Sequence, residues 1–229
     1  MKKRVVPLLS VSCALILALG NVIRADELLT NGNFASGTLE GWNADNQAGG
    51  SGTFVVISGT VTPIGGQVTV GPPLGSDFYA VSDQTGPGAH ALSQLFTVPA
   101  GATSAILSFD MFVNDWSGLG PLVNPAGLDY TADPNQHARV DLLSGDAPPF
   151  DTGAGVLANF YLSVDSGANP HAYSHYTFDI TDLIAAGGTF RLRFGEVDNQ
   201  FFLNQGVGNV SIDFTGAKSP VKTKTKQYR

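Results

Sequence analysis

Apolar and polar residues alternate along much of this chain, which is the pattern of β-strands that bury one face. From Ala105 to Val113 every odd position is apolar, so residues 103–113 are the clearest predicted strand. Ile106 and Phe112 interrupt the polar face of this strand, which predicts that part of that face is covered too. Residues 190–194 and 207–214 repeat the alternation. They are predicted to form a closing pair of strands, joined by a polar segment.

Two shorter strands carry arginine on the face opposite their apolar residues. In 137–142 the pattern points Ala138, Val140 and Leu142 inward and Arg139 outward. In 190–194 the apolar residues at even positions alternate with Arg191 and Arg193. Further strands are predicted at 28–30, 53–58, 67–70, 78–81, 91–98, 156–164 and 173–180.

One short helix is predicted at 181–186, capped by Thr181 and ended by Gly187. Turn signals otherwise recur every 8 to 12 residues or so, the spacing of an all-β domain. We therefore expect residues 26–216 to form an antiparallel two-sheet jelly-roll β-sandwich with one short helix.

Both ends of the chain differ from this body. A basic start and an apolar run at 8–19 predict a signal peptide covering residues 1–25, cut before Asp26 or after Ala18-Leu19-Gly20. The alternative is an uncleaved anchor, for which the run is short, since a membrane span needs roughly 20 apolar residues. Residues 217–229 are predicted to be a disordered basic tail. Cys13, the single cysteine, lies in the leader, so the exported protein would contain no disulfide.

The charge is strongly acidic outside these two ends. Residues 26–216 hold all 19 acidic residues and only three basic ones, Arg139, Arg191 and Arg193. Nucleic acids and anionic membranes bind basic surfaces, so neither is an expected partner. A divalent cation or a neutral polymer fits this charge, although solubility of a secreted protein explains it equally well.

A long loop between two predicted strands carries the candidate ligand-binding residues. Sugar rings stack on aromatic faces and hydrogen-bond to amides and carboxylates. Such groups occur at or beside residues 114–136, and the alternative for the tryptophan is a plug at the end of the sandwich. The candidates are Asn114, Asp115, Trp116, Asp129, Tyr130, Gln136 and His137.

Acidic residues at two places raise the possibility of metal binding or catalysis. Asp129, Asp133 and Asn135 are oxygen ligands that could hold Ca²⁺, but they lack the spacing of an EF-hand, and turn capping explains them as well. Glu196 and Asp198 could form a ligand pair or a carboxylate couple for glycosidic chemistry.

Two ends of the body resemble galactose-binding-like jelly rolls, including many carbohydrate-binding modules. Residues 28–34 followed by Gly41-Trp42 resemble their opening, and residues 206–212 resemble their closing strand. Residues 82–88 and 109–116 look like secreted bacterial proteins with PEP-CTERM sorting tails, although no such tail occurs here. The resemblance implies a core position for Trp42 and a structural Ca²⁺ near the termini. Ala35 and Gly208 stand where that family often has carboxylates, which removes two ligands.

These observations lead to a secreted, non-catalytic module that binds polysaccharide or another extracellular polymer. A structural protein of the envelope or extracellular matrix is the alternative, and a glycoside-active enzyme using Glu196 and Asp198 is the second alternative. Calcium is the only cofactor that the residues favour. No membrane span is expected after the leader is removed.

Overall fold

A computed structural model describes residues 25–123 and 127–216, which form eleven strands and one helix. In chain order the elements are β1 (Asp26–Glu27), β2 (Asn43–Asn46), β3 (Thr53–Ile57), β4 (Tyr79–Asp83), β5 (Gly88–Val98), β6 (Ala102–Asp115), β7 (Gln136–Ser144), β8 (Val156–Ser163), β9 (Ser174–Asp179), α1 (Thr181–Ile184), β10 (Gly188–Asp198) and β11 (Leu203–Gly216).

The strands form two antiparallel sheets. The first has the order β3-β4-β11-β6-β9, with β1 pairing to β11. The second has the order β2-β5-β10-β7-β8. The predicted jelly-roll sandwich with one short helix is confirmed. The predicted closing strands are central strands of opposite sheets, β10 and β11, and residues 199–202 cross between them.

The core fills the space between the sheets with the predicted inward faces. Phe190, Leu192 and Phe194 of β10 are buried, as are the odd positions of β6 from Ala105 to Val113. Trp42 is 6% exposed, and its ring lies 5.6 Å from that of Phe34 and 6.1 Å from that of Phe194. The predicted core role of Trp42 is confirmed.

Parts of the outer faces are covered as well. Phe112 packs with Tyr79 and Val81 on the outside of the first sheet, as the interruption of the polar pattern predicted. On the second sheet Arg139 and Arg193 lie on the outer face, as the alternation predicted, but this face is not open to solvent, because Arg193 is fully buried and Arg139 nearly so. Both bind Asp141, and Arg193 also donates to the carbonyls of Pro149 and Asp151 in the loop that covers this face.

Several local predictions are wrong at the level of single elements. Residues 28–30 lie beyond β1, and 67–70 form only an isolated bridge from Val68 to Val61, whereas β2 was missed. The helix is not capped by Thr181, whose hydroxyl instead accepts a hydrogen bond from the Ala105 N–H. Gly187 ends the helical turn with φ of 72°, as predicted.

The predicted leader, up to residue 24, and the predicted tail at 217–229 lie outside the described residues. Within 25–123 and 127–216, no helix has the length and apolar character needed to cross a membrane.

Candidate functional site

Three connections meet at one end of the sandwich because of how the strands pair. Asp198 at the end of β10 lies opposite Gly88 on one side and Gln136 on the other, and Leu203 at the start of β11 lies opposite Asp115. Three connections therefore start and finish at the same end of the sandwich. They are the turn at 84–87, the crossover at 199–202 and the long loop at 116–135.

A surface pocket, which we call the Phe201 pocket, lies between the 84–87 turn and the crossover. Its lining residues are Thr85, Gly86, Pro87, Asp198, Asn199, Gln200, Phe201 and Phe202. Phe201 is 54% exposed, and its ring centroid lies 4.7 Å from that of Phe202. The pocket combines an exposed aromatic face with hydroxyl, amide and carboxylate groups.

Several predicted ligand residues lie behind this pocket and hold the crossover in place. Gln136 is buried, donates to the Phe201 carbonyl and accepts from the Gln200 N–H. The Trp116 N–H donates to the Phe202 carbonyl at 3.0 Å, while its indole N–H donates to Asn204 Oδ1 at 3.1 Å. Both residues therefore position the crossover.

Two further predicted ligand residues, Asn114 and Asp115, end β6 and stabilise the loops next to the crossover. Asp115 Oδ1 accepts from the Ser117 N–H and from the Gln136 amide, and Oδ2 accepts from the Gly120 N–H. Asn114 is buried, and its Oδ1 accepts from the His171 N–H.

Asp129 and Tyr130 join the long loop to the segment after β2. Gln47 donates to Asp129 Oδ1 at 2.6 Å and accepts from the Tyr130 N–H. The hydrogen bond from Gln47, followed by those from Thr131, lowers the pKa of Asp129. His137 is buried, which lowers its pKa to about 4. The structure thus keeps His137 neutral and away from the surface.

The three predicted calcium ligands lie in the same loop and are engaged by protein groups. Asp129 Oδ1 accepts three hydrogen bonds, and Asp133 Oδ1 accepts one from the Gln200 amide at 2.6 Å. The Asn135 amide donates to the carbonyls of Gly127 and Asp129. A calcium ion at these residues stays a prediction.

Glu196 and Asp198 point into the sandwich together with His90. All three are buried, and one ligand atom from each lies within 4.8 Å of the others. Burial, followed by the charge of Asp198, raises the pKa of Glu196 well above its usual range, and burial raises that of Asp198 to about 7. Burial lowers the pKa of His90 to about 4. Glycosidic chemistry would require a sugar to reach Glu196, which has no exposed surface.

Sequence reasoning missed Phe201, Phe202 and the turn at 84–87. The signal for Phe201 and Phe202 was that two adjacent aromatic residues stand in a polar segment, where the alternation of a strand does not require them. His90 was missed because it lies on a strand whose neighbours in sequence carry no other ligand. Only the pairing of β5 with β10, in which His90 lies opposite Glu196, brings these two residues together.

No protein-family profile matches the sequence, and no curated protein matches it. Solved structures do. TmCBM61, solved with β-1,4-galactotriose, is 9% identical over 82% of this chain and 99% of its own, with a TM-score of 0.49. The Stig cyclase Fisc from Fischerella sp. TAU is 14% identical over 85% of this chain and 100% of its own, with a TM-score of 0.47.

The enzymatically active domain of tailspike protein 4 from bacteriophage CBA120 is 9% identical over 82% of this chain, with a TM-score of 0.48. The match covers 21% of the tailspike chain, so this protein spans about a fifth of its length. One fold can carry many unrelated functions, so the residues of this chain, and not its fold, must decide its function.

Proposed function

We propose that this protein is a secreted module that binds a neutral polysaccharide at the Phe201 pocket. The observation that carries the proposal is the exposed ring of Phe201 beside the polar lining of the pocket. A sugar ring presents apolar C–H groups on its face and hydroxyls around its edge, so it needs an aromatic face with polar groups next to it.

The pocket supplies both kinds of group on a firmly held loop. Thr85 is exposed on one side, and Gln200 is anchored on the other by hydrogen bonds to Asp133 and Asn199. Asn199 ties the crossover to the long loop by donating to the carbonyls of Tyr130 and Ala132. A site held in this way loses little conformational freedom on binding, which favours affinity.

The charge of the body favours a neutral polymer over an acidic one. Residues 26–216 carry 19 acidic against three basic side chains, and Asp198 and Asp133 lie at or beside the pocket. Like charges at a binding surface are repulsive, so polymers rich in uronic acid or sulfate are disfavoured.

The test is retention of the purified protein in gels that contain neutral or acidic polysaccharides. We expect retardation by at least one neutral polymer, with affinity about tenfold weaker in Phe201→Ala, which corresponds to ~1.4 kcal/mol. The control is Leu183→Ala, which removes a partly exposed apolar side chain from α1 at the opposite end of β10. Mobility unchanged by every polymer, or equal binding by Phe201→Ala, would overturn the proposal.

A further inference from the structure

Three ionisable side chains converge inside the sandwich beneath the Phe201 pocket. His90 and Glu196 are 0% exposed, and Asp198 is 2% exposed. His90 lies on β5 and the two carboxylates on β10, facing the interior. Asp198 also lines the Phe201 pocket, so the cluster borders a route to solvent.

The polar atoms of this cluster lack the partners that buried groups require. Within the described residues, neither oxygen of Glu196 has a hydrogen-bond partner, and neither does His90 Nε2. The Ser82 hydroxyl lies near Glu196 and lowers its pKa, and the Ser51 carbonyl lies near His90 and raises its pKa, but neither contact has hydrogen-bond geometry to these atoms. His90 Nε2 and Glu196 Oε1 are 3.6 Å apart, which is too long for a hydrogen bond. Buried polar atoms without partners are costly, so they point to a further ligand.

Hydrogen bonds with neighbouring residues hold the side chains of His90 and Asp198 in place, as they do for many metal ligands. His90 Nδ1 lies 2.8 Å from Asn46 Oδ1. In the tautomer with the proton on Nδ1, this N–H donates to Asn46, and the lone pair of Nε2, which is 3.6 Å from Glu196 Oε1, is available to a metal ion. Asp198 accepts hydrogen bonds from the Gly88 N–H and the Gln84 amide, both at 2.9 Å. Histidine and carboxylate ligands of metal ions usually have such supporting hydrogen bonds.

In the part of the chain that the structure describes, no arginine side chain forms an ion pair with Glu196 or Asp198. The buried side chains of Arg139 and Arg193 are bound to Asp141 on the outer face. A divalent ion would displace the protons that burial holds on the two carboxyl groups and would balance their charge.

We propose that His90, Glu196 and Asp198 bind one divalent transition-metal ion, with zinc as the best fit. Two ligand atoms that are each about 2 Å from a tetrahedral zinc ion are about 3.3 Å apart, close to the separation of His90 Nε2 and Glu196 Oε1. An imidazole nitrogen in the set favours zinc over calcium, which takes oxygen ligands. The metal site shares Asp198 with the Phe201 pocket, but none of its three ligands depends on a bound sugar.

The experiment is zinc titration of the full exported chain, stripped with chelator, against a chromophoric competitor. We expect one zinc ion per chain, and Co²⁺ substitution should give visible absorption typical of nitrogen and oxygen ligands. His90→Ala and Glu196→Gln should abolish stoichiometric binding. Asn46→Ala, which keeps all three ligands, should weaken binding about 10- to 100-fold. The matched control is His175→Ala, which removes a surface histidine 2.7 Å from Asp110 and should change nothing.

Thermal melts of the same variants separate metal binding from a purely structural role. In chelator, Glu196→Gln should melt higher than the wild type at pH 7, because the amide replaces a buried ionisable group with a neutral one of the same shape. In zinc the order should reverse, since only the wild type gains stability from the ion. Substoichiometric zinc uptake, or uptake unaltered by both His90→Ala and Glu196→Gln, would refute the site.

Discussion

Asp141 is the buried acid on the outer face of the second sheet, and two arginine side chains enclose it. Arg139 binds both of its oxygens at 2.7 and 2.8 Å, and Arg193 Nε binds Oδ2 at 3.1 Å. Burial acts to raise the pKa of Asp141, but the hydrogen bond from Arg139 and the charges of both arginine residues outweigh it and lower the pKa. The acid therefore stays ionised and neutralises part of the charge of the pair.

Asp141→Asn is expected to destabilise the protein by about 3–5 kcal/mol, because it leaves two buried guanidinium groups without their carboxylate. Urea unfolding followed by tryptophan fluorescence measures the change. Asp213→Asn on the exposed side of β11 is the control and should stay within about 0.5 kcal/mol of the wild type. A loss below about 1 kcal/mol in Asp141→Asn would contradict this role.

The stability difference between the wild type and Asp141→Asn is expected to depend on pH, with a sign that follows from the lowered pKa of Asp141. The contribution of Asp141 is fully present above its unfolded pKa of about 3.9 and is lost as the pH falls through the lower folded value. The difference in unfolding free energy between wild type and Asp141→Asn should therefore be constant from about pH 7 to 5 and shrink below about pH 4. A difference in unfolding free energy that grows as the pH falls would contradict a lowered pKa of Asp141 in the folded protein.

At the scale of elements, the turn after β1 is locked against the closing strand β11. Gly32 accepts the Val210 N–H at its carbonyl, and a Cβ built on Gly32 would lie 1.8 Å from the Val210 carbonyl oxygen. Glu27 adds to this connection by accepting from the N–H of Leu29 and that of Ile212. The glycine in the opening segment is therefore required by close backbone approach.

Gly32→Ala is expected to destabilise the fold by about 1–3 kcal/mol. The new Cβ would clash with the backbone of Val210, which cannot move aside as a flexible side chain can. Gly59→Ala is the matched control, since a Cβ there has nothing within 4 Å and no left-handed φ is required. Thermal and urea unfolding of both variants measure the effect. Equal stability of the two would show that the turn can move away from β11.

At the scale of the whole molecule, removal of the predicted leader would make the protein more acidic. Four of the 12 basic residues precede Asp26, so cleavage there leaves eight basic and 19 acidic residues, a net charge of −11. Secretion remains a proposal that rests on the leader pattern of basic residues followed by a short apolar run.

Expression of the full chain in a bacterial host with intact export is expected to give an extracytoplasmic product that starts at or near Asp26. N-terminal sequencing and intact mass measure the cleavage point, and Asn21 would indicate the alternative site. Replacing Leu15 and Leu17 with charged residues is the control and should keep the precursor in the cytoplasm. An uncleaved, membrane-bound product would support the anchor alternative.

The sequence alone determined which face of most strands is buried, because side chains alternate between the two faces of a strand whatever it pairs with. On that basis the sandwich and the inward residues of β6, β7 and β10 were predicted correctly. The core position of Trp42 was predicted from the resemblance of the opening segment to other jelly rolls. The sequence could not predict that Arg193 is buried, because alternation gives the direction of a side chain but not what covers it.

Only the tertiary structure decided which distant residues form a site. The candidates in the long loop were chosen for being close in sequence, yet Gln136 and Trp116 support a pocket whose exposed ring, Phe201, lies some 65 residues or more away along the chain. His90 meets Glu196 only because β5 pairs with β10. The physical reason is that strand pairing depends on contacts across the whole sheet, which local patterns of apolar and polar residues do not contain.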